Sequence, residues 1–125
     1  MTIHYQYNKD INCVYSRLKG RINERNLGEH INAVSALNTL KRGWIEILDM
    51  SQIDALDLSY SDCVLLSTQW MKLQRAGCIG AISYAPNELT FGVSRMIKAT
   101  CEKKDHPVWI IRQKNILSFL TGTTT

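Results

Sequence analysis

The sequence lacks the closely spaced cysteine pairs from which structural zinc sites are built. Its four cysteines lie far apart and form no CxxC motif: Cys13, Cys63, Cys78 and Cys101. Structural zinc sites take their ligands in pairs at short spacing, so no such site is expected. Each cysteine falls within an apolar-periodic segment, where a free thiol behaves as a small buried hydrophobe. The cysteine pattern therefore predicts reduced, buried thiols.

Long apolar runs and clustered positive charges are also missing. No apolar run approaches the ~20 residues that span a bilayer, and residues 1–6 lack the charged-then-apolar layout of a signal peptide. The formal net charge is +4, but the Lys and Arg residues are scattered along the chain. Nucleic-acid-binding proteins normally gather these residues on one face. We therefore expect a cytoplasmic protein that neither inserts into a membrane nor binds nucleic acid.

Motifs for catalysis and for cofactors are absent as well. The sequence has no Gly-rich phosphate loop and no HxxxH spacing. The histidines are widely separated: His4, His30 and His106. The acids Asp49, Asp54 and Asp57 suggest a magnesium site, but we favour a strand-end acid followed by two loop acids. We expect a protein that is not an enzyme and that uses no cofactor and no metal.

What the sequence does contain is a regular alternation of strand and helix patterns. The central strand is the apolar run at residues 44–49, which is short and bounded by turn signals, as is typical of a strand buried on both faces. A capping-box pattern at Asn26 and Glu29 predicts the first helix, which Gly43 ends. Ser59 with Asp62 predicts the start of the second helix. Trp70 and Trp109 are expected in the core.

The predicted order is strand (3–8), strand (11–18), helix (26–42), strand (44–49), helix (59–76), strand (78–84), helix (87–103), strand (108–111) and helix (115–120). Strands that alternate with helices imply parallel crossover connections, and the opening hairpin adds an antiparallel edge. We therefore predict one α/β domain over residues 1–120. Its sheet is mixed and mostly parallel, with an N-terminal antiparallel hairpin, about five strands and four helices. A flexible tail is predicted over residues 121–125.

Polar residues gather after the central strand, in a predicted loop at 50–58 and at the start of the second helix. Open α/β sheets usually meet ligands and partners at the carboxyl ends of their strands, so we interpret this region as the working surface. Arg95, on the third helix, is either an interface anchor or a solvated residue. The candidate partner-binding residues are Asp49, Asp57, Leu58, Tyr60, Ser61 and Arg95.

Three stretches resemble the STAS / SpoIIAA-like superfamily, which includes bacterial anti-sigma factor antagonists and the cytoplasmic domains of sulfate transporters. They are VYSRLKGRIN at 14–23, the Asp-Met-Ser and Asp-Leu-Ser-Tyr sequences within 49–60, and 91–96 together with 116–120. The likeness covers residues 11–120. It is closest to small stand-alone bacterial SpoIIAA-like proteins of unassigned function, a subgroup that has also been grouped with CRAL-TRIO-type lipid-transfer domains.

The resemblance implies a non-enzymatic regulatory module that docks reversibly with another protein. In the anti-sigma factor antagonists, the second Ser of an Asp-Ser-Ser-Gly motif is phosphorylated to release the partner, and Ser59 falls at this place. Leu58 and Tyr60 stand where that motif has Ser and Gly, and this departure argues against the phosphate switch but not against the fold. Ser59 is thus a candidate phosphoacceptor, with a plain helix N-cap as the favoured alternative.

Two further alternatives stay open. The first is a small-molecule or lipid-binding domain, with an apolar pocket between the sheet and the second and third helices. The second concerns assembly: the edge strand at 3–8 is suited to pairing with a second copy, which would form a homodimer. We favour a protein partner over a small apolar ligand.

Overall fold

The computed structural model describes residues 2–122, and these form the five strands and four helices that the sequence predicts. The strands are β1 (Ile3–Asn8), β2 (Cys13–Asn23), β3 (Trp44–Asp57), β4 (Cys78–Tyr84) and β5 (Val108–Ile111). The helices are α1 (Glu24–Ser35), α2 (Tyr60–Arg75), α3 (Glu88–Glu102) and α4 (Lys114–Thr121). Of the predicted tail, residues 123–125 lie outside the described residues, and its flexibility stays a prediction.

The five strands form one mixed sheet in the order β1-β2-β3-β4-β5. β1 pairs with β2 in antiparallel orientation, and every other neighbouring pair is parallel. The predicted α/β class, the parallel crossovers and the antiparallel edge hairpin are all confirmed. Within residues 2–122, each helix is too short or too polar to cross a membrane.

β2 and β3 run further than the sequence predicts. They remain paired from Lys19 opposite Gln52 to Asn23 opposite Asp57, beyond the last β1 and β4 pairs. Residues 19–23 and 52–57 therefore form a two-stranded extension of the sheet, which we call the β2–β3 ribbon. The prediction of a loop at 50–58 is wrong, because most of this polar stretch is a strand that pairs in parallel with β2. Register shifts at 17–19 and 20–21 mark bulges where the ribbon begins.

α1 begins and ends earlier than predicted. Its N-cap is Asn23, whose side-chain oxygen accepts a hydrogen bond of 2.9 Å from the Asn26 backbone N–H. The side-chain oxygen of Asn26 in turn accepts one of 3.0 Å from the Asn23 backbone N–H. The helix ends at Ser35, so Gly43 does not terminate it. Leu37 and Leu40 lie beyond the helix and still pack against the core. These two residues of the predicted helix at 26–42 thus belong to the segment that follows α1.

The two faces of the sheet are covered unequally. α1, α2 and α3 pack on one face and enclose the main core, whose largest members include Leu18, Ile22, Leu27, Ile31, Trp44, Leu48, Leu66, Trp70, Leu73 and Ile97. The other face carries a small cluster under α4, formed by Cys13, Ile47, Tyr84 and Leu117. Residues 46–50 of β3 are buried, which confirms a central strand covered on both faces. Trp109 is 47% exposed, contrary to prediction, because β5 lies at the sheet edge.

Candidate functional site

Ser59 caps α2 and completes the reciprocal capping box that the sequence predicts. Its side-chain Oγ accepts a hydrogen bond of 3.1 Å from the Asp62 backbone N–H. The Asp62 carboxylate accepts one of 2.9 Å from the Ser59 backbone N–H. Two N–H groups that a helix start leaves unpaired are satisfied in this way. Ser59 remains exposed, so its hydroxyl is accessible from solvent.

The first two turns of α2 expose an unusual amount of apolar surface. Tyr60 is 50% exposed, Val64 43% and Leu65 59%. With Ser61 these residues are spaced three and four apart, so they form one stripe on the helix surface. We call these four residues the α2 patch. Lys103, the C-cap residue of α3, borders it and donates a hydrogen bond of 3.3 Å to the Tyr60 hydroxyl.

Asp57 and Leu58 connect the ribbon to this helix and have different roles. Asp57 is exposed and ends β3, where its carboxylate accepts a hydrogen bond of 2.7 Å from Arg21. Leu58 is half-buried and packs against the main core, so its side chain fixes the position of Ser59. Polar Asp57 and the apolar α2 patch therefore lie on either side of Ser59 along the chain.

Asp49 was predicted to belong to the same surface, but the structure places it on the other face of the sheet. It pairs in register with Arg17 and Tyr84 and is only 4% exposed. Its carboxylate accepts from the Tyr15 hydroxyl and, at 2.9 and 2.6 Å, from the backbone N–H and hydroxyl of Ser51. Burial, and then the bond to Asp49, raise the pKa of Tyr15 to about 12.

Arg95 belongs to a third location, in the middle of α3. Its guanidinium carbon lies 5.8 Å from the centre of the Phe91 ring, and that of Arg112 lies 4.3 Å from the same ring. Arg112 also bonds the Glu88 carboxylate at 2.8 Å. Such cation–π contacts hold the arginines against the helix. Arg95 is exposed, but its cation–π contact is with Phe91 of the same helix and not with the α2 patch.

The three acids considered as a magnesium site do not form one. Asp49 is buried on one sheet face, whereas Asp54 and Asp57 are exposed on the ribbon. Across residues 2–122, no three His, Cys, Asp or Glu side chains are grouped closely enough to hold a metal ion.

A groove that the sequence did not predict lies on the sheet face covered by α4. It encloses a cavity of about 780 Å³, which opens between α4, β1, the β1–β2 turn and residues of β2, β3 and β4. Its lining includes Lys9, Tyr15, Arg17, Asp49, Tyr84, Lys114 and Leu117. The ligand pocket considered from the sequence was placed under the second and third helices. That face of the sheet is filled by the main core, so the predicted pocket was placed on the wrong face of the sheet.

A buried polar network also escaped prediction. Glu46 of β3 is fully buried in the main core, where its carboxylate accepts hydrogen bonds from three side chains. The donors are His30 at 2.7 Å, Trp70 at 3.2 Å and Ser16 at 3.3 Å. The one sequence signal was an acid within an apolar run. Because no member of the network meets solvent, it serves packing and not substrate binding.

The cysteine thiols are unsuited to nucleophilic chemistry. All four are free and buried, as predicted. Burial raises the pKa of Cys13, Cys78 and Cys101 to about 12 and also raises that of Cys63. The thiolate, which is the reactive form, is therefore scarce at neutral pH.

The fold is similar to two solved structures. One is the anti-sigma factor antagonist SpoIIAA in its unphosphorylated form, with a TM-score of 0.56, 14% identity and 94% coverage of both chains. The other is an uncharacterised DUF3478 protein with a SpoIIAA-like fold from Shewanella loihica PV-4, with a TM-score of 0.58, 16% identity, and coverage of 94% of this chain and 91% of that one. No family model and no curated protein matches this sequence. The likeness confirms the predicted SpoIIAA-like fold.

Proposed function

We propose that this chain is a small regulatory module that docks a protein partner through the start of α2. The observation that carries the proposal is the α2 patch, where Tyr60, Val64 and Leu65 are exposed directly after the Ser59 cap. A helix on a sheet normally turns its large apolar side chains toward the core. An exposed apolar patch rimmed by polar groups is typical of a protein interface.

The surroundings of the patch supply the polar rim of such an interface. Asp57 and Ser61 are exposed beside the apolar side chains, and Lys103 lies against Tyr60. Tyrosine is among the residues that most often dominate interface energetics. Asp49 is not part of this interface because it lies on the opposite sheet face. The described similarity to SpoIIAA, an anti-sigma factor antagonist, agrees with a regulatory role.

Phosphorylation of Ser59 is the proposed regulator of docking. The Ser59 Oγ is engaged as a cap acceptor, and the Asp62 carboxylate binds the Ser59 backbone. A phosphate at this oxygen gains from the helix dipole but stands beside the Asp62 charge. It therefore adds negative charge next to the α2 patch and strains the capping box, and both effects weaken docking of a partner that fits the unmodified surface.

The module is proposed to act by binding alone. Its thiols are buried, and the buried Glu46 network is closed to solvent. Neither feature supplies an accessible nucleophile or general base. A homodimer that pairs through β1 stays a prediction. Light scattering tests it by giving the mass in solution, and a monomeric mass contradicts the dimer.

The docking proposal is tested by capturing tagged protein from its native cells with phosphatases inhibited, followed by mass spectrometry of the eluate. We expect a stoichiometric protein partner that is lost in Tyr60→Ser and Leu65→Ser. The matched control is Ile79→Ser, since Ile79 is an apolar residue of β4 with 54% exposure outside the patch. Phosphopeptides in the same eluate report on Ser59. Equal recovery with all variants, or no partner at all, contradicts the proposal.

A further inference from the structure

We propose that the groove beneath α4 binds a small organic anion, namely a carboxylate carried on an aromatic or short apolar body. The groove lies on the sheet face opposite α2, so this site is separate from the proposed docking surface. Its cavity of about 780 Å³ falls within the range of pockets that hold small molecules.

Tyr84 supplies the most specific feature of the groove. The residue is only 7% exposed and lines the cavity. Within residues 2–122 the Tyr84 hydroxyl has no hydrogen-bond partner, whereas the hydroxyl of Tyr15 donates to Asp49. Burial, and then the charge of Asp49, raise the pKa of Tyr84, so its phenol stays protonated at neutral pH. The Tyr84 hydroxyl is not among the fully buried unpartnered polar atoms of residues 2–122, so it meets solvent and is free to donate to a ligand oxygen in the groove.

The charge of the lining favours an anion. Three cations line the cavity, Lys9, Arg17 and Lys114, against the acids Asp10 and Asp49. The oxygen atoms of Asp49 are already occupied by Tyr15 and Ser51. Arg17 is half-exposed, and its Nε lies 3.7 Å from the Asp49 carboxylate. Interaction with the neighbouring Tyr15 hydroxyl, and then with Asp49, raises the pKa of Arg17, so the guanidinium stays charged. The planar guanidinium fork of such a side chain matches a carboxylate.

The remaining walls suit a compact apolar group. Leu117 of α4 and Cys13 of β2 belong to the small cluster on this face, and the ring of Tyr15 packs against it. The Arg17 guanidinium lies 5.7 Å from the centre of that ring, so charge and aromatic surface are adjacent. Cys13 does not add covalent chemistry, because burial raises its pKa to about 12. Binding is therefore reversible.

The test is an NMR titration of the ¹⁵N-labelled full chain with 2-naphthoate, 3-phenylpropionate and octanoate. We expect at least one of the three to shift the amide signals of Tyr15, Tyr84 and Leu117 in a saturable, one-to-one manner. The neutral amide 2-naphthamide is the matched probe for charge, and it should bind at least tenfold more weakly than 2-naphthoate. Signals of the α2 patch should stay unchanged.

Two variants locate the site. Tyr84→Phe removes one donor to a charged group and Arg17→Gln removes the cation, and each should weaken binding about tenfold. Arg25→Gln is the control for net charge, because Arg25 is an exposed residue of α1 paired with Glu29. An unchanged thermal midpoint shows that each variant is folded. Absence of binding by all three carboxylates, equal binding of 2-naphthamide, or full affinity in both variants overturns the proposal.

Discussion

His30 donates a hydrogen bond of 2.7 Å to Glu46 in the middle of the main core, and their side chains are only 2% and 0% exposed. Trp70 and Ser16 donate to the same carboxylate. A buried carboxylate is tolerated only when its hydrogen-bonding capacity is filled, and here side chains from α1, α2 and β2 fill it. The network thus ties two helices to the central strand.

Replacing Glu46 should strongly destabilise the protein. Glu46→Ala leaves three buried donors without their acceptor, so we expect the free energy of unfolding to fall by about 3–5 kcal/mol. Urea denaturation measures this change in the free energy of unfolding. Glu29→Ala is the control, since the pair of Glu29 with Arg25 is exposed and its loss should change the free energy by about 0.5 kcal/mol or less. A loss below about 1 kcal/mol for Glu46→Ala contradicts the interpretation.

His106 should make the protein less stable in mild acid. Burial lowers its pKa below the ordinary 6.5, against the opposing effect of Glu46, and both ring nitrogen atoms lack partners among the described residues. Below pH 6.5 the unfolded chain binds a proton that the folded chain does not, so the free energy of unfolding falls as the pH drops below 6.5. His106→Leu should reduce this slope in urea titrations. An unchanged slope would exclude His106 as its source.

The cap of α2 should tolerate a carboxylate but not an aliphatic group. Ser59→Ala removes the acceptor for the Asp62 N–H and should lower the free energy of unfolding by about 0.5–2 kcal/mol. Ser59→Asp restores a cap acceptor and should stay closer to the wild type. Ser61→Ala is the matched control, because Ser61 is exposed in the same turn and its side chain makes no hydrogen bond with any of residues 2–122. Thermal and urea unfolding rank the stabilities of the variants. Equal stability of Ser59→Ala and Ser61→Ala contradicts a capping role for Ser59.

Two glycines should respond to alanine in opposite directions. A Cβ at Gly80 would lie 2.9 Å from both the Pro107 carbonyl oxygen and the Trp109 ring, so Gly80→Ala should destabilise the protein by about 1–3 kcal/mol. Gly92 lies within α3 with nothing within 4 Å of such a Cβ. Gly92→Ala should therefore stabilise the protein by about 0.5–1 kcal/mol. Calorimetric midpoints that move in the same direction for both variants would contradict this packing.

The native thiols should react slowly. All four are buried, and burial raises the pKa of Cys13, Cys78 and Cys101 to about 12. We expect almost no reaction with Ellman's reagent over minutes at neutral pH, and four equivalents after unfolding in guanidinium. Rapid release of one equivalent from the folded protein would reveal an accessible thiol.

The sequence predicted elements best where local signals bounded them. Gly77 and the Ala85-Pro86 turn delimit β4, and Ser59 with Asp62 marks the start of α2, and both elements lie where expected. The ribbon was missed because residues 50–57 are largely polar and their strand conformation depends on pairing with β2, far away in sequence. The cap of α1 was predicted at Asn26, but the helix begins after Asn23, where the pairing of β2 with β3 ends.

The candidate sites show the same division between local and non-local information. Ser59, Tyr60 and Ser61 follow one another in sequence, so their common location was accessible to prediction. Asp49 was assigned to their surface because it ends the apolar run, but strand pleating turns its side chain to the other face. The groove joins β1, β2, β3, β4 and α4, whose relative positions no local pattern specifies.

The unequal cover of the sheet has an evolutionary consequence. Folding depends mostly on the face under α1, α2 and α3, where the main core lies, whereas the face under α4 contributes a cluster of four buried residues. Selection for a stable fold therefore constrains the first face more tightly and leaves the second free to diversify among proteins of this shape. Substitutions at Arg17, Tyr84 and Lys114 should change what the proposed groove site binds without altering the architecture. Sequence changes confined to the sheet face under α4 can thereby give the same fold a new binding specificity.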